Sequence, residues 1–265
     1  MGDFWRGRAV VITGASSGIG KDLGLLLASR GARVALVARR RELLAEVEAG
    51  CVAAGGEAVS FAADVADARA MEAVRDEVLG RWGFADVVVA NAGVGGLNPG
   101  ATFSLDLHRR FVEVNCMGLA NTLVPFIPSM VARRAGRLVG VSSLAAFRGL
   151  PAAASYSSTK AQQGVFLESL RVDLRQAGVA VTSIHPGFVE TPMTDHDEFR
   201  MPFKIPVRRS SVLIARAIER RRRAYLYPWP MKLLTYLNRS LPGWLYDRLI
   251  PRLSGQSGHV SARAF

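Results

Sequence analysis

Tyr156 and Lys160 stand four residues apart in Ser155-Tyr156-Ser157-Ser158-Thr159-Lys160, at the opening of a helical stretch. That spacing puts both side chains on one helix face. A free tyrosine titrates at about 10, too high for easy proton exchange near neutrality. A neighbouring ammonium favours the phenolate and pulls that value down. The pair reads as a proton-exchanging phenol with its tuning cation, although ordinary helices also carry this spacing. Ser143 follows the apolar run Leu138–Val141. A hydroxyl there can hydrogen-bond a substrate oxygen as charge builds on it. A plain turn serine is the alternative, and the neighbouring Ser142 blurs the assignment.

These groups need a frame. Short apolar runs alternate with longer helical patterns along the chain. The runs are Ala9–Thr13, Val34–Ala38, Ala58–Ala62, Val87–Ala90, Leu138–Val141 and Val179–Ile184. Several are β-branched and apolar on both faces, as strands between two helix layers should be. Leu23–Arg30, Glu42–Ala53 and Arg69–Arg81 read as helices between them. The repeating βαβ pattern predicts a doubly wound parallel sheet in one domain of the α/β class. Ser143 then sits at the C-terminal end of a strand, where such sheets bind ligands.

The first run ends in Thr13-Gly14-Ala15-Ser16-Ser17-Gly18-Ile19-Gly20 before a helix. Gly14 permits a tight turn, Gly18 lets the backbone approach a pyrophosphate, and Gly20 lets helix and strand pack closely. The helix N-terminus offers free N–H groups and a positive dipole end to phosphates. The second run ends in Val37-Ala38-Arg39-Arg40. A carboxylate near there usually serves the ribose hydroxyls of NAD. Ala38 cannot do so, whereas Arg39 and Arg40 suit a 2′-phosphate, with Ser16 adding a hydroxyl. The competing reading is a solvated helix start, which the helix dipole disfavours for arginine. The expected cofactor is NADP. Its nicotinium ring would join Lys160 in favouring the Tyr156 phenolate, and Lys160 can also hold the nicotinamide ribose.

The glycine loop, Asp64-Val65, Asn91-Ala92-Gly93, Asn115, Ser143, Tyr156-Ser157-Ser158-Thr159-Lys160 and Pro186-Gly187 occur in an order and spacing that resembles the short-chain dehydrogenase/reductase family. The resemblance runs from Arg8 to Tyr227 and is to the shorter, single-domain branch. It implies a catalytic set. Tyr156 would be the general acid/base, Lys160 its partner, Ser143 the group that orients the substrate oxygen, and Asn115 the holder of a water in a proton relay with Lys160. It also implies cofactor contacts from Gly14, Ser16, Ser17, Gly18, Ile19, Gly20, Arg39, Arg40, Tyr156 and Lys160. Asp64 and Val65 would meet adenine, and Asn91, Ala92 and Gly93 would line the floor. Pro186, Gly187, Val189 and Thr191 would flank the nicotinamide. Ala90 replaces an asparagine found in many members. The substrate would be a small-molecule carbonyl or alcohol, and the enzyme a homo-oligomer, dimer or tetramer. The helix expected over Ala154–Gln176 agrees, because Val165, Phe166, Leu167 and Leu170 cover more than one buried stripe needs.

Composition narrows the alternatives. The 265 residues are 49% hydrophobic and 21% charged, which suits one large domain with a real core. The net charge of +12 comes almost wholly from arginine. No zinc-finger spacing, RNA-binding aromatic motif or long basic run accompanies it, so nucleic acid is set aside. Cys51 and Cys116 imply no disulfide framework and fit a reducing cytoplasm. The N-terminus has no apolar signal core. No stretch is expected to reach the roughly 18 apolar residues of a spanning helix.

Two segments stay open. Phe188, Met193, Phe199, Met201 and Phe203 fall where the family carries a substrate lid, and point weakly to a wide apolar pocket for a bulky substrate. Asp195-His196-Asp197-Glu198 resembles a ligand cluster but reads better as a solvated loop, so no metal is expected. His108, His185 and His259 are scattered. Residues 1–227 form the expected dinucleotide-binding and catalytic domain, and 228–265 an amphipathic extension. There Met231, Leu234, Leu237 and Leu241 recur at helical spacing, and a second stretch covers Trp244–Leu253. With Arg220–Arg223, Lys232, Arg239, Arg248 and Arg252, this suits a peripheral membrane surface through 228–252. A lid over the cleft or a subunit contact suits it equally. The reading is NADP(H)-dependent interconversion of a secondary alcohol and a ketone. The alternative is a cofactor-binding sensor or scaffold on the same fold, which would not need Asn115, Ser143, Tyr156 and Lys160 together.

Overall fold

Seven parallel strands form the frame of the computed structural model, which describes residues 4–194 and 201–253. They are β1 (Ala9–Thr13), β2 (Arg33–Ala38), β3 (Glu57–Ala62), β4 (Val87–Ala90), β5 (Gly136–Val141), β6 (Val179–Pro186) and β7 (Ala224–Tyr227). Their order is β3-β2-β1-β4-β5-β6-β7. The register sets Val10 of β1 beside Val34 of β2 on one side and Val87 of β4 on the other. Side chains alternate between faces along each strand. Val10 and Ile12 therefore enter one core with Val34, Leu36, Val87 and Val89. Ala9 and Val11 enter the other with Ala35, Val37 and Val88. Both faces are buried, and the expected doubly wound parallel sheet is what forms.

Helices cover the two cores. α1 (Gly18–Ala28), α2 (Arg41–Ala53) and α8 (Val207–Glu219) supply Leu23, Leu44 and Ile214 to the first. The second takes Met71 from α3 (Ala68–Trp82) and Leu167 from α7 (Ala154–Asp173). Its other cover is composite: α4 (Leu105–Phe111), a π-helical segment (Val112–Met117), α5 (Gly118–Leu123), a 3₁₀ turn (Val124–Phe126) and α6 (Ile127–Ala132). This continuous 28-residue helix, Leu105–Ala132, is long and apolar enough by composition to cross a membrane, contrary to the expectation from the sequence. Its apolar content has another use here. Leu119, Leu123, Phe126 and Met130 are buried against the sheet.

Strand edges run further than the apolar runs suggest. β2 begins at Arg33, β5 at Gly136, and β6 continues to Pro186. Polar or glycine residues take part in the ladder there, and hydrophobic periodicity cannot mark them. α7 stops at Asp173 rather than Gln176, because the chain turns at Gly178, whose φ is +76°. After β7, α9 (Trp229–Ser240) and α10 (Gly243–Leu253) form a helical hairpin. Asp195-His196-Asp197-Glu198, Phe199 and His259 lie outside the described residues.

Candidate active site

The strand order reverses between β1 and β4, and a cleft of about 290 Å³ opens there at the C-terminal strand ends. An open α/β sheet binds its ligand at such a switch point. The β1–α1 loop forms one wall. Gly14 has φ +67°, and a Cβ on it would lie 2.8 Å from Ala92 Cα. A Cβ on Gly20 would collide with the Gly14 carbonyl oxygen. Each glycine is thus set by a different neighbour, one by the β4 loop and one by its own turn. Ser16, Ser17, Gly18 and Ile19 line the cleft, and Gly20 packs behind them. The amides of this first helical turn lack intrahelical acceptors and present a positive dipole end.

At the end of β2 the two arginines part company. Arg40 Nη2 donates to Ser16 Oγ at 2.9 Å and to Ser17 Oγ at 2.8 Å. Arg39 Nη1 instead stands 3.6 Å from Asp64 Oδ2. Ala38, Arg39, Arg40, Asp64 and Val65 all line the cleft. Asp64 Oδ1 accepts from the Ala66 amide at 3.0 Å, and the Val65 carbonyl accepts from Asn121 Nδ2 at 2.9 Å.

The β4 loop makes the floor. Asn91 Nδ2 donates to the Thr13 carbonyl at 3.0 Å, and the Asn91 and Ala92 amides donate to Thr13 Oγ1 at 3.2 and 3.3 Å. Asn91, Ala92 and Gly93 line the cleft, but Asn115 does not. Asn115 is fully buried behind Gly93. Its Oδ1 accepts from the Val94 amide at 2.8 Å, and its Nδ2 donates to the Val94 carbonyl and Thr159 Oγ1, each at 3.1 Å. Asn115 sits in the π-helical segment, a distortion that frees main-chain groups from the regular ladder. Its carbonyl accepts from Gln163 Nε2.

α7 carries the chemical groups. Lys160 is only 4% exposed, and its Nζ donates to the Val141 carbonyl at 3.0 Å and to Gln163 Oε1 at 3.1 Å. Burial pushes the ammonium pKa down to about 8, with Cys116 acting weakly the other way. The Lys160 Nζ lies 5.7 Å from the centre of the Tyr156 ring. Phe111 meets that ring edge-on at 6.4 Å. Gln163 thus links Asn115 and Lys160, and Tyr156 faces the cleft beside them.

The two serines after β5 separate by direction. Ser142 Oγ donates to the Lys160 carbonyl at 2.8 Å. Ser143 Oγ accepts from the Ala145 amide at 3.1 Å, so its own hydrogen stays available to a ligand. His185 holds this turn from below. Its Nδ1 lies 3.2 Å from the Ser143 carbonyl and its Nε2 lies 3.1 Å from Ser183 Oγ. A carbonyl only accepts, so Nδ1 carries the proton and Nε2 accepts from the serine. Burial pushes the His185 pKa down to about 4, and Lys160 adds to that while the Ser143 carbonyl opposes it.

The last wall follows β6. Pro186, Gly187, Val189 and Thr191 line the cleft. The Gly187 amide donates to the Tyr227 carbonyl at 2.7 Å, and Val189 bridges to Ile205. A Cβ on Gly18 would lie 3.3 Å from Thr191, so the two walls nearly meet.

His185, Gln163 and Thr13 are therefore part of the site's support, and the sequence reading missed all three. Gln163 had one local signal, its i+3 spacing from Lys160. Thr13 had none, since its partners are distant in sequence, and although Ser183 stands two residues from His185, the contact that ties His185 to the site, with the Ser143 carbonyl, is distant. Asn98 is a fourth. Buried, it donates to Ser155 Oγ at 3.0 Å and ties the β4–α4 connection to the first turn of α7.

Known proteins share this architecture. A family model described as short chain dehydrogenase matches residues 8–200. An uncharacterized oxidoreductase of Myxococcus xanthus (strain DK1622) is 41% identical over 247 residues, 93% of this chain and 97% of that protein. Dehydrogenase/reductase SDR family member 7B of Bos taurus is 28% identical over 268 residues, 94% of this chain and 82% of that protein. A solved short chain dehydrogenase/reductase from Burkholderia phymatum, in complex with NAD, has a TM-score of 0.82 at 26% identity and covers 90% of this chain and 94% of its own. The chain belongs to the short-chain dehydrogenase/reductase family, oxidoreductases whose cofactor is a nicotinamide dinucleotide.

Proposed function

We propose that the protein is an NADP(H)-dependent oxidoreductase that interconverts a secondary alcohol and a ketone on a bulky apolar substrate. The observation that carries this reading is the convergence of Tyr156, Lys160 and Ser143 on the cleft that the glycine loop and Arg40 also line. The residues fit the cofactor. Gly14 and Gly20 keep the loop tight, since a Cβ at either would strike backbone of Ala92 or Gly14, and Arg40, Ser16 and Ser17 form a cluster of polar groups. A planar guanidinium with two hydroxyls matches a 2′-phosphate, whereas Ala38 offers no carboxylate to ribose hydroxyls.

When bound, the nicotinamide supplies or accepts the hydride at the carbonyl carbon. The chain's own groups manage the oxygen. In reduction, Tyr156 gives its phenolic proton to the substrate oxygen, and in oxidation it takes that proton back. Lys160 favours the phenolate by its charge and holds the nicotinamide ribose. Ser143 donates its free hydrogen to the substrate oxygen as negative charge develops. Asn115 joins the proton relay behind Lys160, supported by the contact of Gln163 with both.

The substrate end is apolar. A Cβ on Gly95 would lie 3.1 Å from Met193 Sδ and 3.8 Å from Tyr156 Cε2, so Met193 stands beside the phenol. Phe111 covers another side. Free, buried Cys51 and Cys116 suit a reducing cytoplasm. The reading includes a homo-oligomer. Val165 and Val172 are exposed seven residues apart on α7, and Met117, Val124 and Val131 repeat that spacing on the composite helix. A particle of one chain's mass in light scattering at micromolar concentration would contradict the oligomer.

The reaction is tested by following NADPH oxidation against ketones of graded size and polarity. Turnover of bulky apolar ketones supports the reading. Tight NADPH binding with no turnover of any carbonyl favours the sensor or scaffold instead.

A further inference from the structure

α9 divides its side chains between two directions. Met231, Thr235 and Asn238 turn toward the protein. A Cβ on Gly187 would lie 3.4 Å from Met231 Cγ. Arg148 Nη1 donates to the carbonyls of Asn238 and Leu241, each at 2.7 Å, and so caps the end of the helix. The Arg148 guanidinium also stacks 3.9 Å over the Tyr246 ring, and the Tyr246 hydroxyl donates to the Gly149 carbonyl. The hairpin is thus rooted on the segment that begins at Ser143.

The opposite face is different. Trp229, Leu233 and Leu237 recur every four residues, one helical stripe, and all three are exposed. Leu234 and Tyr236 border the stripe, the Tyr236 ring meeting Phe147 edge-on at 6.3 Å, and Trp244 of α10 is also exposed. Trp229 is 75% exposed and Trp244 71%. The sequence pattern placed Met231, Leu234, Leu237 and Leu241 on one face; in the fold Met231 and Leu241 serve the rim, while Leu234 and Leu237 face out with Trp229 and Leu233. An exposed apolar stripe of this kind marks an interaction site.

Its borders indicate the partner. Lys232 and Arg239 lie along one edge of the stripe, and Arg248 follows on α10. Asp247 is the one acidic residue in α9 and α10. The cleft is not the occupant, because the stripe faces away from the rim that α9 packs on. A second copy across a two-fold axis would set these cations against themselves. An anionic lipid surface matches both the apolar stripe and its cationic edge. Trp and Tyr are also the side chains that settle at headgroup depth.

We propose that the α9–α10 hairpin docks the protein on an anionic membrane surface, with Trp229, Leu233 and Leu237 at the boundary between headgroups and acyl chains. The rim beside Ser143 then lies one helix diameter, roughly 10 Å, from the bilayer, and an apolar substrate reaches it from there. That second consequence rests on the reaction proposed above; the docking does not.

The test is sedimentation with phosphatidylcholine vesicles, with and without phosphatidylglycerol, at low and high salt. Three proteins are compared: the full chain, a Trp229→Ala/Leu233→Ala/Leu237→Ala variant, and a Lys232→Gln/Arg239→Gln/Arg248→Gln variant. NADPH binding, read by nicotinamide fluorescence, checks that each is folded without relying on turnover. The full chain is expected to pellet with anionic vesicles and to release at high salt. Each cation removed should weaken partition about fivefold, and the apolar variant should not pellet. Trp5 and Trp82 are buried, so a blue shift of tryptophan emission on anionic vesicles reports Trp229 and Trp244. Absence of vesicle binding by the folded full chain overturns the proposal. So does equal binding by the apolar variant. A fall in particle mass for that variant, with no vesicle binding by the full chain, assigns the stripe to a second copy.

Discussion

The two ends of the cleft are built differently. At the chemical end, Lys160, Asn115 and Gln163 are buried, and each polar atom discussed above has a named protein partner. At the phosphate end, Arg39 and Arg40 are exposed and are held by hydroxyls or by one carboxylate. A buried polar group left without a partner costs about 1–3 kcal/mol, whereas an exposed ion pair is worth about 0–1 kcal/mol. On the proposed mechanism, substitutions at the chemical end are expected to lower stability along with turnover. Substitutions at the arginine end are expected to change cofactor preference with little effect on the rest of the molecule.

Tyr156→Phe should show the largest effect. Loss of the phenolic proton lowers turnover by roughly 100- to 10,000-fold, the range of general acid–base catalysis, while NADPH binding persists. Substantial turnover in a stopped-flow assay of Tyr156→Phe overturns the mechanism. Lys160→Ala should weaken both turnover and cofactor binding, because in the proposed mechanism the same ammonium serves both.

The phosphate end predicts a change of ratio rather than of rate. Arg40→Ala should lower NADP affinity about tenfold to a hundredfold, one charge-assisted contact to phosphate, and leave NAD affinity alone. Titration of both cofactors by calorimetry decides it. An unchanged NADP-to-NAD ratio in Arg40→Ala removes the 2′-phosphate assignment.

His185 tests whether the chemical end is coupled to stability. Its folded pKa of about 4 lies below the ordinary 6.5. Between those values the unfolded chain binds the proton and the native ring does not. Its stabilising contribution is therefore complete above pH 6.5, falls as pH drops through that window, and is lost below about 4. The shift sets an upper bound of about 3 kcal/mol. Urea midpoints of wild type and His185→Gln, measured across the window, should diverge in slope. Parallel curves would uncouple His185 from the fold.

The smallest effect belongs to Arg39→Ala. Its guanidinium is drawn to Asp64 at 3.6 Å and away from the Ser16 and Ser17 hydroxyls, so the expected loss in NADP affinity is about fivefold, that of an exposed charge pair. A larger loss than in Arg40→Ala would reverse the division between the two arginines.

What could be read from the chain alone was local. Gly14 to Gly20, Tyr156 with Lys160, and the strand runs are patterns within one turn or one strand, and they carry their geometry with them. The order of the βαβ units also followed, because a parallel sheet with covered faces leaves few arrangements. The remaining assignments depended on residues that meet only after folding. Arg40 finds Ser16 and Ser17 across the β1–β2 crossover, and His185 of β6 finds Ser143 after the neighbouring β5. Ser142 and Ser143 are adjacent in sequence and both line the cleft, yet only α7 decides that the Ser142 hydroxyl is the one tied to its backbone. The same holds for α9. Periodicity shows that a helix has an apolar face, but the rim it packs on decides which apolar side chains are covered and which stay in water. Side-chain period is a property of the local backbone, while burial is a property of whatever lies opposite.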